Sequence, residues 1–483
     1  MTDLKNSDKL ASTEHVEGRR VVSQNTEQNP ASQTQSCVDE DHALTGLERV
    51  RNTAKAQKHL RFTSLLHHIT PALLVESFYQ LKTKAAAGID GITWHDYEGT
   101  LYGRVHGLHQ EIQAGRYRAQ AVKRVFIDKS DGKRRALGIA TLEDKLVQQA
   151  FVTVLNAIYE QDFLGFSYGY RQGRSQHDAL DALAVGIVDR EIHWIIDADI
   201  KAFFDEIDHE HLLTFLNRRI ADQRILRMIK KWLKAGVIEA GVRTASHKGI
   251  PQGAVISPLL ANIYLHYVLD TWANQWRAEK VTAGAVIFIR YADDMVMGFQ
   301  FEEQAKLFLK EMEQRLKNYQ LEIHPDKTRL IRFGKYAEAQ CNKRKEGKPQ
   351  SFDFLGFTHC CGRTRNGKRF KLVRLTIKKR MRATLADIRA KLKRLKHEPI
   401  PQIGRWLKQV MQGYFNYYAV PGNLVRLNGF RSEVNRAWRY ALMRRSQRSR
   451  LNWNRFNRIV TKYIPQCKQA HPYPSERFYA KYG

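Results

Sequence analysis

The chain is predicted to be an α+β protein with an all-helical, basic C-terminal part, and three observations predict it. Two apolar runs, Val286-Ile287-Phe288-Ile289 and Met295-Val296-Met297, bracket Tyr291-Ala292-Asp293-Asp294, which reads as strand, tight turn and strand. Such strands alternate with helical stretches, for example Glu302 to Tyr319 with Phe308, Met312 and Leu316 on one face. From about Arg374 the pattern turns wholly helical and positive charge accumulates. Residues 361–483 hold 31 Lys and Arg against four acids, a net of +27, out of +31 for the whole 483-residue chain.

In chain order, residues 1–43 are polar and poor in aromatics, so a disordered tail is expected there. Helical patterning runs from near Leu47 through Leu60 and again from Pro71 to Leu81. Residues 116–139 pattern as strands with a turn at Ser130-Asp131-Gly132, and Thr141 to Tyr159 as a helix. Trp194-Ile195-Ile196 is a strand that runs into Asp199. Asp208 is a good N-cap for a helix over His209-Glu210-His211-Leu212-Leu213. Ser257-Pro258 opens a further helix, with Ser as N-cap and Pro at the first helical position, and Leu259, Leu260, Ile263, Tyr264, Tyr267 and Val268 on its apolar face. Leu321-Glu322-Ile323 reads as a short strand ended by Pro325, and residues 341–350 as a polar, basic connector. The division that follows is a tail at 1–43, an α+β part at 44–360 and a helical basic part at 361–483.

A net charge of +31 favours a polyanionic partner, and phosphate backbones are the obvious one. An anionic membrane is the competing partner. No apolar run approaches the length of a membrane span and no signal peptide opens the chain, so no membrane association is expected. Cys37, Cys341, Cys360, Cys361 and Cys467 are scattered and form no C-x-x-C pair, which speaks against a disulfide framework or structural zinc and fits a reducing cytoplasm. His177 and His209 read as structural residues.

Adjacent aspartates repel unless a cation sits between them. Asp oxygens suit Mg²⁺, and paired carboxylates suit a two-metal mechanism on phosphate esters. Alone, an Asp-Asp pair in a β-turn is usually just a solvated turn. A second acidic segment changes the odds: residues 195–208 read Ile-Ile-Asp-Ala-Asp-Ile-Lys-Ala-Phe-Phe-Asp-Glu-Ile-Asp. A strand delivering one carboxylate can lie beside the hairpin that delivers two. Asp197 and Asp199 are two residues apart and share a strand face, so the residues alone leave either as that carboxylate.

Asp199-Ile200-Lys201-Ala202-Phe203-Phe204-Asp205 resembles motif A of reverse transcriptases, and Tyr291-Ala292-Asp293-Asp294 resembles motif C, in the form found in group II intron reverse transcriptase/maturases. Further blocks of that family follow in order. They are Gly88-Ile89-Asp90-Gly91, Lys133 to Ile139, Ser167-Tyr168-Gly169-Tyr170-Arg171 running on to Leu180, Gly249-Ile250-Pro251-Gln252-Gly253-Ala254 with Ser257 to Asn262, His324 to Thr328, and Phe354-Leu355-Gly356-Phe357. The resemblance covers roughly residues 44–483. The family usually has Pro where Asp128, Ala136 and Ala140 stand, and Gly where Ala202 and Ala254 stand. None of these departures removes a carboxylate.

The resemblance implies a right-hand polymerase fold: fingers and palm at 44–360 and a helical thumb/maturase domain at 361–483. No C-terminal HNH endonuclease is visible. It implies an RNA-directed DNA polymerase that uses an RNA template, a DNA primer, dNTPs and Mg²⁺, and that binds its intron RNA to assist splicing and mobility. Asp199, Asp293 and Asp294, with the Ile200 carbonyl, are the implied metal ligands. Lys327 is the implied proton donor to pyrophosphate. Phe204 is the implied gate against a ribose 2′-hydroxyl, Lys129 and Arg135 the triphosphate cations, and Gln252 a nucleotide-pocket residue. The competing reading of Phe204 is an ordinary core Phe, and that of Lys129, Arg135 and Lys327 is a surface charge. Phe354 to Phe357 resembles the primer grip, though an apolar tetrapeptide alone says only buried strand.

Residues 374–483 interleave cations with Trp406, Tyr414, Phe415, Tyr417, Tyr418, Trp438, Trp453 and Phe456. Unpaired bases stack on aromatics and Arg planes, but helical spacing makes most of these aromatics core. Arg444, Arg445 and Arg448 are the implied RNA contacts. Two alternatives remain: a host-adopted reverse transcriptase, for example in phage defence, and a splicing chaperone with little polymerase activity. Oligomeric state is not legible.

Overall fold

Among the described residues strand-forming runs build three sheets, and one of them gathers the acidic segments. The computed structural model describes residues 37–128, 134–239, 242–244, 247–364, 366–446 and 451–483. Its strands are β1 (Val122–Asp128), β2 (Arg134–Ile139), β3 (Trp194–Asp199), β4 (Val237–Glu239), β5 (Val242–Thr244), β6 (Val286–Tyr291), β7 (Asp294–Phe299), β8 (Arg329–Arg332), β9 (Phe352–Phe354), β10 (Phe357–Arg363) and β11 (Phe370–Thr376). The sheet orders are β2-β1-β4-β5, β6-β7-β3-β8 and β11-β10-β9.

The chain divides into two units. The larger runs from residue 37 to Val373 and takes back Pro474–Gly483; the smaller is Arg374–Tyr473. In the larger unit β6, β7, β3 and β8 pair antiparallel. Met295 to Phe299 of β7 are all buried, so both faces of that strand are covered. The helix Glu302–Lys317 packs there, Phe308 meeting Trp276 with ring centroids 4.9 Å apart and Phe288 at 5.2 Å. The last helix of the chain, Pro474–Tyr482, lies against the helix Gln176–Asp189. Arg477 pairs with Asp181, Lys481 with Asp178 at 2.7 Å, and the Tyr479 hydroxyl donates to Asp189 at 2.8 Å. The carboxyl of Asp178 feels opposing influences: burial raises its pKa, but Lys481 and the Ser175 cap outweigh it and hold it below the usual range.

Among the described residues the smaller unit holds the end of β11 and four helices, Lys378–Arg394, Ile400–Tyr418, Leu424–Met443 and Trp453–Tyr463. Their core follows helical spacing: Leu385, Ile388 and Leu392; Ile403, Leu407, Met411 and Phe415; Leu427, Phe430, Val434 and Trp438; Phe456 and Val460. Trp438, Phe415 and Phe456 are core, as expected of most aromatics here, while Trp453 is 47% exposed beneath the Arg439 guanidinium.

Several expectations need correction. The first helix is Cys37–Ala56, so residues 37–43 are helical rather than part of a tail. Residues 1–36 lie outside the described residues, as does the turn at Ser130-Asp131-Gly132. The compact units divide at Val373/Arg374, within β11, rather than at 360/361, within β10, and 474–483 belong with the larger. Ile256, not Ser257, is the N-cap of the helix Ser257–Leu265; the Ser257 hydroxyl donates instead to the Pro251 carbonyl at 2.8 Å. Leu321 to Ile323 form no strand, only a single bridge from Ile323 to Ile200. The connector at 341–350 begins inside a helix, Ala337–Arg344. No helix among the described residues is long and apolar enough to cross a membrane.

Candidate active site

Asp199 is the last residue of β3 and Asp294 the first of β7, and they stand directly opposite in the antiparallel ladder. Asp293 lies in the two-residue turn between β6 and β7, where Tyr291 pairs with Asp294. Like charges set opposite one another repel, so a cation is required nearby. Lys327 supplies one: its ammonium donates to the Asp199 carboxylate. Burial opposes the lysine's charge, but the hydrogen bond to Asp199 and the charges of Asp199, Asp294 and Asp293 outweigh it and hold Lys327 above the ordinary lysine range. All four expected groups therefore meet at one end of the sheet.

Two backbone bonds settle where Ile200 points. The His324 amide donates to the Asp199 carbonyl at 2.8 Å and the Lys201 amide to the Glu322 carbonyl at 2.9 Å. Carbonyls alternate sides along a strand, so the Ile200 carbonyl faces the opposite edge, the side of β7. The donors on offer are all oxygens, the set that suits a hard divalent cation. Among the described residues no three metal-ligating side chains already close on one point. Asp197 is distinguished from Asp199 by its partner. Burial pushes its carboxyl up, Asp353 and Asp199 push it further, and a 2.9 Å pair with Arg329 opposes them.

Phe204 opens no surface of its own. It is 7% exposed and meets Phe203 edge-on at 5.4 Å. Its carbonyl accepts from the Ile250 amide at 2.8 Å. A Cβ at Gly249, at φ +80°, would stand 2.8 Å from the Asp205 carbonyl oxygen, so only glycine lets the 249–253 loop seat against this turn. The other end of the loop reaches β2, where the Gly138 amide donates to the Gln252 carbonyl at 2.6 Å. One loop thus ties Phe204 and Gln252 to the strand that carries Arg135. The Arg135 side chain lies outside the described residues, as do Lys129 and Arg448. Ala202 is left-handed, φ 47° and ψ 36°, which gives a physical reason for the glycine usual at that position in the family the sequence resembles.

In the helical unit Arg444 is exposed, its guanidinium 5.7 Å from the Tyr440 ring. Arg445 is half-buried and donates to the Glu398 carbonyl at 2.6 Å, so one arm of its fork serves the fold.

Sequence reasoning missed a buried network behind the turn. Arg290 and Asp270 are 2% and 0% exposed, and their charges pair in the core beside Asn262 and Ser167. One signal was available: an arginine inside the apolar run Val286 to Tyr291 must find a partner if that strand is buried.

The reverse transcriptase (RNA-dependent DNA polymerase) family matches residues 127–359 of this chain. That stretch, with its mixed helices and sheets, is a reverse transcriptase domain. Protein YkfC of Escherichia coli (strain K12) is 35% identical over 275 residues, which cover 50% of this chain and 72% of that protein. Group II intron-encoded protein LtrA of Lactococcus lactis subsp. cremoris is 31% identical over 307 residues, 60% of this chain and 50% of LtrA. Nuclear intron maturase 3, mitochondrial, of Arabidopsis thaliana is 27% identical over 161 residues, 33% of this chain and 21% of that protein. The chain thus spans about half the length of LtrA. It belongs to the group II intron reverse transcriptase/maturase family, and the polymerase of that family is RNA-directed and makes DNA.

Proposed function

We propose that the larger unit forms the fingers and palm of an RNA-directed DNA polymerase, and that the helical unit is a thumb/maturase domain that binds intron RNA. Asp199, Asp293, Asp294 and the Ile200 carbonyl hold Mg²⁺. When bound, Mg²⁺ lowers the barrier to attack by a primer 3′-hydroxyl and neutralises the pyrophosphate that leaves. The protein's own groups do the rest. Lys129 and Arg135 hold the dNTP triphosphate, the lysine as a point charge and the arginine by its planar fork. Gln252 lines the nucleotide pocket, and Phe204 closes it to a 2′-hydroxyl. Lys327, kept protonated by three carboxylates, gives its proton to pyrophosphate. Arg444, Arg445 and Arg448 belong to the RNA surface, with Arg444 the more available of the two described. The setting is the cytoplasm, and the bound RNA is the chain's own intron, whose splicing and mobility it assists.

The observation that carries this reading is the register of Asp199 against Asp294 with Lys327 on Asp199. The same register weighs against a splicing chaperone that has abandoned polymerisation. Asp293→Asn keeps the size of the side chain and loses its charge. It is expected to abolish Mg²⁺-dependent primer extension on an RNA template while leaving RNA affinity within about twofold. Near-wild-type extension by the variant would remove Asp293 from the active site.

A further inference from the structure

The turn that carries Asp293 and Asp294 is held in a conformation its residues do not favour. Ala292 sits at φ 58°, in the left-handed region. A Cβ there costs about 1–2 kcal/mol. The surrounding structure must hold the turn against that preference.

Arg290, two residues earlier, supplies the hold, and all five of its N–H donors have an acceptor. Nε donates to Asp270 Oδ1 at 2.7 Å, and Nη2 to Asp270 Oδ2 at 2.5 Å and to the Ser167 hydroxyl at 2.7 Å. Nη1 donates to Asn262 Oδ1 at 3.0 Å and to the carbonyl of Ala292 itself at 3.1 Å. Asn262 passes the link on, its Nδ2 donating to the Gly169 carbonyl at 2.7 Å. Gly169 lies directly on the turn: a Cβ there would stand 2.3 Å from the Ala292 nitrogen. The guanidinium therefore fastens the turn's own carbonyl to the segment packed on its other side.

Asp270 reaches this place through a rare device. Residues His266–Asp270 form a π-helical turn inside the helical run from Ser257 to Lys280. Such turns are uncommon and concentrate at functional sites. Stability is a weak reason to bury this pair, because apolar residues of similar volume often serve as well or better. Orientation is a stronger one, since only a planar fork with five donors makes these contacts at once.

We propose that Arg290, oriented by Asp270 and Asn262, is a positioning residue for the catalytic turn: it fixes Asp293 and Asp294 relative to Asp199 and so sets divalent-cation affinity and turnover. This rests on the functional reading above. The test compares the full-length wild type with Arg290→Lys, which keeps the charge but cannot reach Asp270, Asn262 and the Ala292 carbonyl together. Two properties are read. One is Mn²⁺ binding by electron paramagnetic resonance, without nucleotide or nucleic acid and with Asp293→Asn as control. The other is single-turnover primer extension over a range of dNTP and Mg²⁺ concentrations.

The expected result for folded Arg290→Lys is Mn²⁺ binding at least about tenfold weaker and a maximal rate about 100-fold lower, the scale of a misplaced reactive group. The KM for dNTP and the affinity for template-primer stay within about twofold, and the Mg²⁺ midpoint moves up. If Arg290→Lys does not fold, the double variant Arg290→Met, Asp270→Leu replaces the pair by apolar side chains without stranding a charge, and the same losses are expected of it. A folded variant of either kind with wild-type Mn²⁺ affinity and maximal rate overturns the proposal, even if it melts at a lower temperature. Absence of primer extension by the wild type would sink the functional reading instead, and the Mn²⁺ measurement would still judge the network.

Discussion

The two units differ in how the charge of their arginines is balanced. In the α+β unit buried guanidiniums come with their own carboxylates: Arg290 with Asp270, Arg219 with Asp162 and Arg171 with Glu160. In the helical unit Arg389 and Arg436 share the single carboxylate of Glu433. There Arg426, Arg431, Arg439 and Arg445 donate to the main-chain carbonyls of Thr376, Pro465, Leu451 and Glu398. A carbonyl satisfies a donor but does not cancel a charge. The first arrangement fixes geometry around a site; the second leaves a standing positive field. That field suits a ligand recognised by its many phosphates, whereas the carboxylate turn suits one reaction at one point.

Acid should break the first region. His266 lies in the π-helical turn, and burial, opposed by Asp270 and reinforced by Arg290, Arg171 and Lys58, lowers its pKa from 6.5 to about 4. A folded pKa below the unfolded one contributes stability that is complete above pH 6.5 and is lost as pH falls toward about 4, up to about 3 kcal/mol. His266→Phe should therefore lose less melting temperature than wild type between pH 7 and pH 4. Parallel curves for the two proteins would show that this histidine is not held neutral.

Salt should probe the second region, with a smaller effect. Arg444→Glu with Arg448→Glu, leaving Arg445 on its carbonyl, is expected to weaken intron RNA binding about tenfold or more and to flatten the dependence of affinity on salt, since each lost phosphate contact releases fewer counterions. Extension of a simple primed template should change less. An unchanged affinity and salt slope would remove these two arginines from the RNA surface. The smallest effect is expected at Ala202. Glycine relieves the left-handed strain there but adds backbone freedom to the unfolded chain, for a net gain of up to about 1 kcal/mol. A lower melting temperature for Ala202→Gly would show that the methyl group matters more than the backbone angle.

What could be read from the sequence was chemistry that is local along the chain. Asp208 caps its helix by accepting from the His211 amide, and the acid pair sits at a hairpin turn because apolar strands flank it on both sides. Thr141 opens its helix by accepting from the Asp144 amide, at the position where the helical pattern begins. What could not be read depends on partners far away. Arg290 finds Ser167 across 123 residues, and Arg477 finds Asp181 across 296. Neither contact has a periodicity or a cap to announce it. The Ser257 hydroxyl shows the limit of a local rule, since a carbonyl six residues back, at Pro251, took the side chain that a cap would have used.

The most direct test of the central claim is extension of a DNA primer on an RNA template with dNTPs and Mg²⁺, by the wild type and by Asp199→Asn at matched template-primer binding. Extension by the wild type and a loss of about 1000-fold or more in the variant, with binding unchanged, is the predicted result. Equal extension by both proteins, or none by the wild type, would contradict the account.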